Sequence, residues 1–294
     1  MRPLVVIPTY NESENIERML HRIHECLPGA GVLVVDDGSP DGTADLVKGV
    51  AAELPDVHLL VRPSKSGLGS AYRAGFAWGL ERGYDACIEI DADFSHDPAA
   101  LPTLVAPLEE GFDVAIGSRY VEGGSIPNWA WHRHLLSRGG NAYASAVLGL
   151  GVVDSTAGYR AYSAGILRRL DLSHIRAEGY GFQIEMTYRA RQRGAAIAEV
   201  PIKFVDREAG ESKMSSFIVI EALGLVTWWG LGRIVHGVRR VATGGRGKAG
   251  RGGTGTGTHQ PGQPGQPGQS GHSGNAANGQ TQNATDTEDP IRSA

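Results

Sequence analysis

PLVVIPTYNE at residues 3–12 and VLVVDDGSPDGT at residues 32–43 decide the fold. Each is a short apolar run rich in Val and Ile that stops on polar and turn residues, and a stretch of helical periodicity separates the two. In that stretch Asn11, with Glu14 three residues on, reads as a capping box, and Ile16, Leu20, Ile23 and Leu27 form one apolar stripe. Working outward, VHLLV (57–61), CIEID (87–91) and DVAIGS (113–118) read as further strands, with helices starting near Gly42, Gly67 and Pro98. Strands alternating with helices predict an α/β domain built on a mostly parallel sheet with helices flanking it. After Arg119 the rhythm loosens into a Gly-rich loop, a helix from about 133 to 148, and the segment VDSTAGYRAYSAGIL (153–167). A helix over GFQIEMTYRARQRG (181–194) and a late strand within IAEVPIKFVDR (197–207) follow.

The chain has 294 residues, 41% of them hydrophobic and 20% charged, enough to bury a sizeable core. A net charge of −4 removes the strongly basic balance of a general nucleic-acid binder, so no nucleic-acid partner is expected. Basic residues cluster locally, at His132 to Arg138 and from Arg233 through Arg251, beside apolar sequence. Such runs suit anionic lipid head groups or simply a solvated helix end, and the sequence leaves both open. Cys26 and Cys87 stand far apart without metal-type spacing and read as structural thiols in a reducing compartment. The N-terminal apolar run is too short for a secretory signal or a membrane span, which points to the cytoplasmic side.

Three regions follow: an α/β domain over 1–216, an apolar helix over 217–242 and a low-complexity tail over 243–294. Residues 217–238 carry two adjacent tryptophans, several glycines and Glu221, a pattern read as an interfacial helix in preference to a span. The tail contains PGQPGQPGQ and almost nothing that could pack a core, so it is expected to be disordered.

In a parallel sheet, ligands collect beyond the carboxyl ends of the strands. Here those ends carry Pro8, Tyr10 and Glu12, then Asp36 and Asp37, then Asp91 and Asp93, then Ser118 and Arg119. Asp91-Ala92-Asp93 is the sharpest feature, because two carboxylates two residues apart after a strand can share a divalent cation bridging a diphosphate. Taken alone, VDDGSPDGT reads as a tight turn into a helix. In DREAGESK, Arg207 and Lys213 sit on a Gly-containing loop that could clamp phosphate oxygens.

PTYNE, VDDGSPDGT, DADFSHDP, GSRY, RHLLSRGGN, DSTAGYR, GYGFQIE, VPIKF and REAGESK, in that order over about residues 3–216, resemble the inverting glycosyltransferases of family 2. Within that family the likeness is to the dolichol- or polyprenol-phosphate mannose synthases. The resemblance implies the GT-A fold, GDP-mannose as donor, a polyprenyl phosphate as acceptor, Mg2+ or Mn2+ as cofactor, and a peripheral place on the inner membrane face with room for a membrane-protein docking partner. It implies that Pro8, Tyr10, Glu12, Val35 and Asp37 hold the nucleotide, that Asp91 and Ala92 continue that site, and that Asp93 is the principal metal ligand. Arg119, Arg207 and Lys213 correspond to phosphate and donor contacts, and Arg119, Arg133 and Ser137 to the lipid-phosphate side. Many relatives place Gln two residues after the second Asp; this chain has Ser95, a shorter and weaker metal ligand beside which a water would complete the shell.

A phosphate acceptor is already anionic at neutral pH and needs positioning more than a general base, so none is assigned. A polyprenyl-phosphate glucosyltransferase using UDP-glucose is the rival within enzymes, and a non-catalytic nucleotide-sugar-binding protein the rival outside them. Deleting residues 243–294 is expected to leave turnover with a short soluble acceptor unchanged; a large loss in that assay would show that the tail takes part.

Overall fold

The computed structural model describes residues 1–206 and 222–232. Seven strands, β1 (Pro3–Thr9), β2 (Gly31–Asp36), β3 (Val57–Val61), β4 (Ala86–Glu89), β5 (Val114–Ser118), β6 (Arg160–Ser163) and β7 (Ile197–Pro201), form one sheet in the order β3-β2-β1-β4-β6-β5-β7. The helices are α1 (Ile16–Cys26), α2 (Thr43–Glu53), α3 (Leu68–Glu81), α4 (Leu101–Glu109), α5 (Trp131–Leu148), α6 (Ala164–Arg169) and α7 (Gly179–Gln192). Residues 222–232 form a further helix.

Period-two alternation along the strands splits the core into two layers. Leu4 and Val6 of β1, with Leu33 and Val35 of β2, face α3, α5, α6 and α7. Val5 and Ile7, with Val32 and Val34, face α1, α2 and α4. Helix α3 lies close on β1, since a Cβ added at Gly79 would stand 2.7 Å from the Leu4 side chain.

Two features depart from the sequence reading. β6 runs antiparallel to both neighbours, pairing Glu89 with Arg160 and Ile116 with Arg160, so an inserted strand separates the β4 and β5 ends. Asn11 does not cap α1. It adopts a left-handed φ of 60°, the helix begins at Ile16 behind Asn15, and no side chain caps it. The loop is held from across the sheet instead: the backbone amides of Asn11, Glu12 and Ser13 donate to Ser39 Oγ, Thr43 Oγ1 and Asp41 Oδ2. Burial alone would raise the Asp41 carboxyl, but donors from Thr43 and Ser13 outweigh it and bring the group down to about 2.

Arg160 is fully buried, with Nε on Ala157 O at 2.6 Å, Nη1 on Gln183 O and Thr187 Oγ1, and Nη2 on Ser155 O at 2.6 Å. Beside it Glu89 accepts from Gln183 Nε2 at 2.7 Å, and burial pushes its carboxyl up to about 8 against the opposing pull of Arg160 and of that hydrogen bond. The folded chain therefore keeps a proton on Glu89 that an unfolded chain releases near a pKa of about 4.3. With more protons bound in the folded state, stability from this group falls as pH rises from about 4.3 to about 8. Glu89→Gln is expected to gain stability relative to the parent across that window in urea denaturation. Parallel curves for the two proteins would refute the assignment.

Candidate active site

The strand order reverses direction between β1 and β4, the switch point at which parallel sheets open a crevice. A cleft of about 270 Å³ lies there, lined by Pro8, Tyr10 and Glu12 from the β1 end, Asp37 from the β2 end and Asp91, Ala92 and Asp93 from the β4 end. Thr9, Lys65, Gly67, Leu68 and Ala71 complete its wall. Asp37 is fixed from behind: Arg62 Nε donates to its Oδ1 at 2.6 Å and the Ser66 amide to its Oδ2 at 3.1 Å. Asp36, fully buried, serves the loop by accepting from Thr9 Oγ1 and from both the amide and hydroxyl of Ser39. Lys65 Nζ stands 4.4 Å over the Tyr10 ring at the same cleft.

The β4 end turns sharply. Phe94 has φ 58°, a conformation that costs a side-chain-bearing residue about 1 kcal/mol or more, and such strain concentrates at functional sites. The Ser95 amide donates to Asp93 Oδ1 at 3.0 Å, which fixes one carboxylate oxygen. Tyr72 Oη donates to Asp91 Oδ1 at 3.3 Å. His96 packs between Tyr159 and Phe204, and burial brings its imidazole down to about 4, so it is neutral at physiological pH.

A second, apolar pocket opens beside α5. Trp129, Leu136, Ala144, Tyr180, Ile184, Ala222, Leu223 and Val226 line it together with Arg119, Arg133 and Ser137. Arg119 is 6% exposed and held by Asp154 through Nε at 2.7 Å and Nη2 at 2.6 Å, with the Arg119 amide also donating to Asp154 Oδ2. Burial opposes both charges, yet the pairing wins: the Asp154 carboxyl lies below its ordinary range and the guanidinium is raised. Ser137 Oγ accepts from Tyr120 Oη at 2.7 Å. At the rim, Arg133 lies 3.9 Å over the Trp129 ring, and both donate to Asp206.

Of the site residues expected from sequence, the cleft gathers Pro8, Tyr10, Glu12, Asp37, Asp91, Ala92 and Asp93. The apolar pocket gathers Arg119, Arg133 and Ser137. Val35 is buried in the core beneath the cleft, and Ser95 is buried beside Asp93 without lining it. Arg207 and Lys213 lie outside the described residues, as do most of the 217–242 segment and the whole tail. Lys65, Trp129, Asp154 and Tyr180 were not singled out; only the buried partner of Arg119 had a hint, in the aspartate of DSTAGYR.

Residues 4–171 match the family model described as Glycosyl transferase family 2. The chain belongs to that family. This glycosyl transferase family 2 chain is 53% identical to an undecaprenyl-phosphate mannosyltransferase of Micrococcus luteus over 239 residues, 81% of this chain and 98% of the relative. It is 51% identical to a polyprenol monophosphomannose synthase of Mycolicibacterium smegmatis, covering 78% of this chain and 87% of the relative. Among solved structures, glucosyl-3-phosphoglycerate synthase from Mycobacterium tuberculosis, in complex with Mn2+, UDP and glucosyl-3-phosphoglycerate, shares the fold at TM-score 0.56 and 23% identity over 76% of this chain and 78% of that one. The family 2 chain is thus a glycosyltransferase on a GT-A-like scaffold.

The buried pair at the pocket makes a sharp stability test. Asp154→Ala leaves the Arg119 charge uncompensated and is expected to cost about 3–5 kcal/mol in urea denaturation. The double variant Arg119→Met/Asp154→Leu is expected to recover most of it; a double variant as unstable as the single one would show that the pair's charge is not what Asp154 balances.

Proposed function

We propose that the protein transfers mannose from GDP-mannose to a polyprenyl monophosphate at the inner face of the membrane, with inversion, giving a polyprenyl β-mannosyl phosphate. The observation that carries this reading is the pairing of two unlike cavities: a carboxylate-lined cleft at the sheet's switch point and an apolar pocket with a buried arginine in its wall. A polar nucleotide sugar suits the first, and a lipid bearing one phosphate suits the second. The names of the two relatives, both mannose transferases to polyprenyl carriers, favour mannose over glucose.

Asp91 and Asp93 offer hard carboxylate oxygens on the cleft wall, the chemistry a divalent cation takes, although among the described residues no three His, Cys, Asp or Glu side chains gather into a metal site. Asp93 would hold Mg2+ or Mn2+, and the buried Ser95 does not line the cleft. The cation supplies neutralisation of the charge that develops on the departing nucleoside diphosphate.

The chain's own residues do the rest. Asp37, Glu12 and the Pro8–Tyr10 backbone position the nucleotide, Asp91 continues that wall, and Arg207 with Lys213 answer the diphosphate as in the family. Arg133 and the Arg119 guanidinium, pre-positioned by Asp154, draw the acceptor phosphate toward the anomeric carbon; Ser137 adds a hydroxyl. The acceptor oxygen, anionic before it arrives, attacks the face opposite the leaving diphosphate, which inverts the centre and demands no proton transfer from the protein.

The test is transfer with purified protein, Mg2+ or Mn2+ and polyprenyl phosphate, offering labelled GDP-mannose and UDP-glucose in parallel and counting label in organic extract. Mannose label lost on chelation is the expected outcome; glucose label alone would move the assignment to the glucosyl reaction, and no label from either donor would sink the transferase reading. Asp93→Ala is expected to lower kcat by about a thousandfold with an unchanged circular dichroism spectrum. Full activity in that variant would remove the cation from the site.

A further inference from the structure

Thr156 lines the apolar pocket beside Arg119, and the hydrogen bonds around it fix which way its hydroxyl can act. Arg119 Nη2 stands 2.8 Å from Thr156 Oγ1, and a guanidinium can only donate. Asn141 Nδ2 stands 3.1 Å from the same oxygen. Two neighbours with one possible role each settle the orientation of that amide: the Thr156 N–H, which can only donate, meets Asn141 Oδ1 at 3.1 Å, and the Ser137 carbonyl, which can only accept, meets Nδ2 at 3.0 Å. Asn141 is buried, and Ser155 Oγ donates to its oxygen at 2.9 Å, so the amide is held from every side.

A hydroxyl has two lone pairs and one proton. With Arg119 and Asn141 donating to both lone pairs, Thr156 enters any further hydrogen bond only as a donor. Among the described residues its proton finds Asp154 Oδ1 at 3.4 Å, beyond the ordinary O–H···O range of about 2.5–3.0 Å, and that oxygen already takes Arg119 Nη2 at 2.6 Å. An acceptor arriving in the pocket therefore replaces a long bond and not a good one. The pocket wall carries Arg119 and Arg133 and no Asp or Glu side chain among the described residues. A neutral acceptor would gain from the hydroxyl alone, whereas an anion gains from the hydroxyl and from both guanidinium groups.

We propose that Thr156 donates its hydroxyl proton to a terminal oxygen of a phosphate monoester seated in the apolar pocket. This rests on the lipid-acceptor reading for the source of that phosphate. The two guanidinium groups supply charge, which attracts the phosphate from any direction; a short hydroxyl whose proton has one way to go supplies direction, and holds one oxygen in place while another is left to react.

The measurement is equilibrium binding of farnesyl phosphate, farnesol and inorganic phosphate to the full chain by titration calorimetry, with Thr156→Val and Thr156→Ser beside the parent. The parent is expected to bind farnesyl phosphate more tightly than either of the other two. Thr156→Val matches the parent in shape but lacks the hydroxyl, and Arg119 stays pinned to Asp154 through its amide, Nε and Nη2. This variant is expected to weaken farnesyl phosphate about tenfold and to leave farnesol where it was, while Thr156→Ser keeps most of the parental affinity. In transfer to farnesyl phosphate, Thr156→Val is expected to raise the acceptor KM and leave the donor KM unchanged. Parental farnesyl phosphate binding in Thr156→Val, an equal loss toward farnesol, or a serine variant as weak as the valine one would each overturn the proposal and leave the transferase reading standing. A parent that binds farnesyl phosphate no better than farnesol or inorganic phosphate would sink the lipid-acceptor reading, and this contact with it.

Discussion

The burial of Arg160 organises the catalytic end of the sheet. A guanidinium deprived of water is tolerable only when its donors are met, and here four of them are met by Ala157, Ser155 and Gln183 carbonyls and the Thr187 hydroxyl. Those acceptors belong to the turn before β6 and to α7, so satisfying one side chain fixes the turn, the inserted strand and the helix against one another. β6 in turn pairs with β4 on one side and β5 on the other. Asp91 and Asp93 of the cleft follow β4, and Arg119 follows β5. Their separation is therefore the width of one antiparallel strand, set in the core and not by the loops that carry them.

The two cavities that result solve opposite electrostatic problems. The cleft concentrates carboxylates, which is favourable only toward a cation or toward hydrogen-bond donors, and Arg62 and the Ser66 amide supply such donors to the two oxygens of Asp37. The pocket is apolar, yet it holds a guanidinium whose charge Asp154 balances at two points. A bidentate pair of this kind leaves little net field in the pocket until an anion arrives, and it holds the guanidinium plane in one orientation.

The α/β class, six of the seven strands and the position of the cleft were legible because short apolar runs rich in Val and Ile, bounded by polar and turn residues, are hard to build any other way. β6 was not, since RAYS is four residues long and its apolar content comes from Ala and Tyr inside a segment full of turn formers. Asn11 was misread for a physical reason: the amides that a capping side chain would satisfy are satisfied from the second loop by Ser39, Asp41 and Thr43, a tertiary contact with no local signature. DGSPDGT thus does more than turn the chain. Lys65 and Trp129 joined the cavities from loops with no distinguishing pattern, whereas Asp91, Asp93 and Arg119 were exposed to reading because strand ends constrain where their side chains can go.

The left-handed turn at Phe94 links the two cavities more tightly than the sheet alone does. Strain at a non-glycine residue persists only where the surroundings over-determine it. Arg18 of α1 lies 4.1 Å over the Phe94 ring, and a later segment adds two restraints: the Val205 amide donates to Ser95 O at 3.2 Å, and His96 and Phe204 form an isolated bridge with their rings 5.4 Å apart. That same segment ends in Asp206, which accepts from Trp129 and Arg133, while Phe204 meets the Trp129 ring edge-on at 5.8 Å. Residues 204–206 therefore meet Ser95 and His96, just past Asp93, with one side and the pocket rim with the other. The pocket rim and the turn that carries Asp93 are thus held by one strip of backbone that contributes no side chain to the cleft itself.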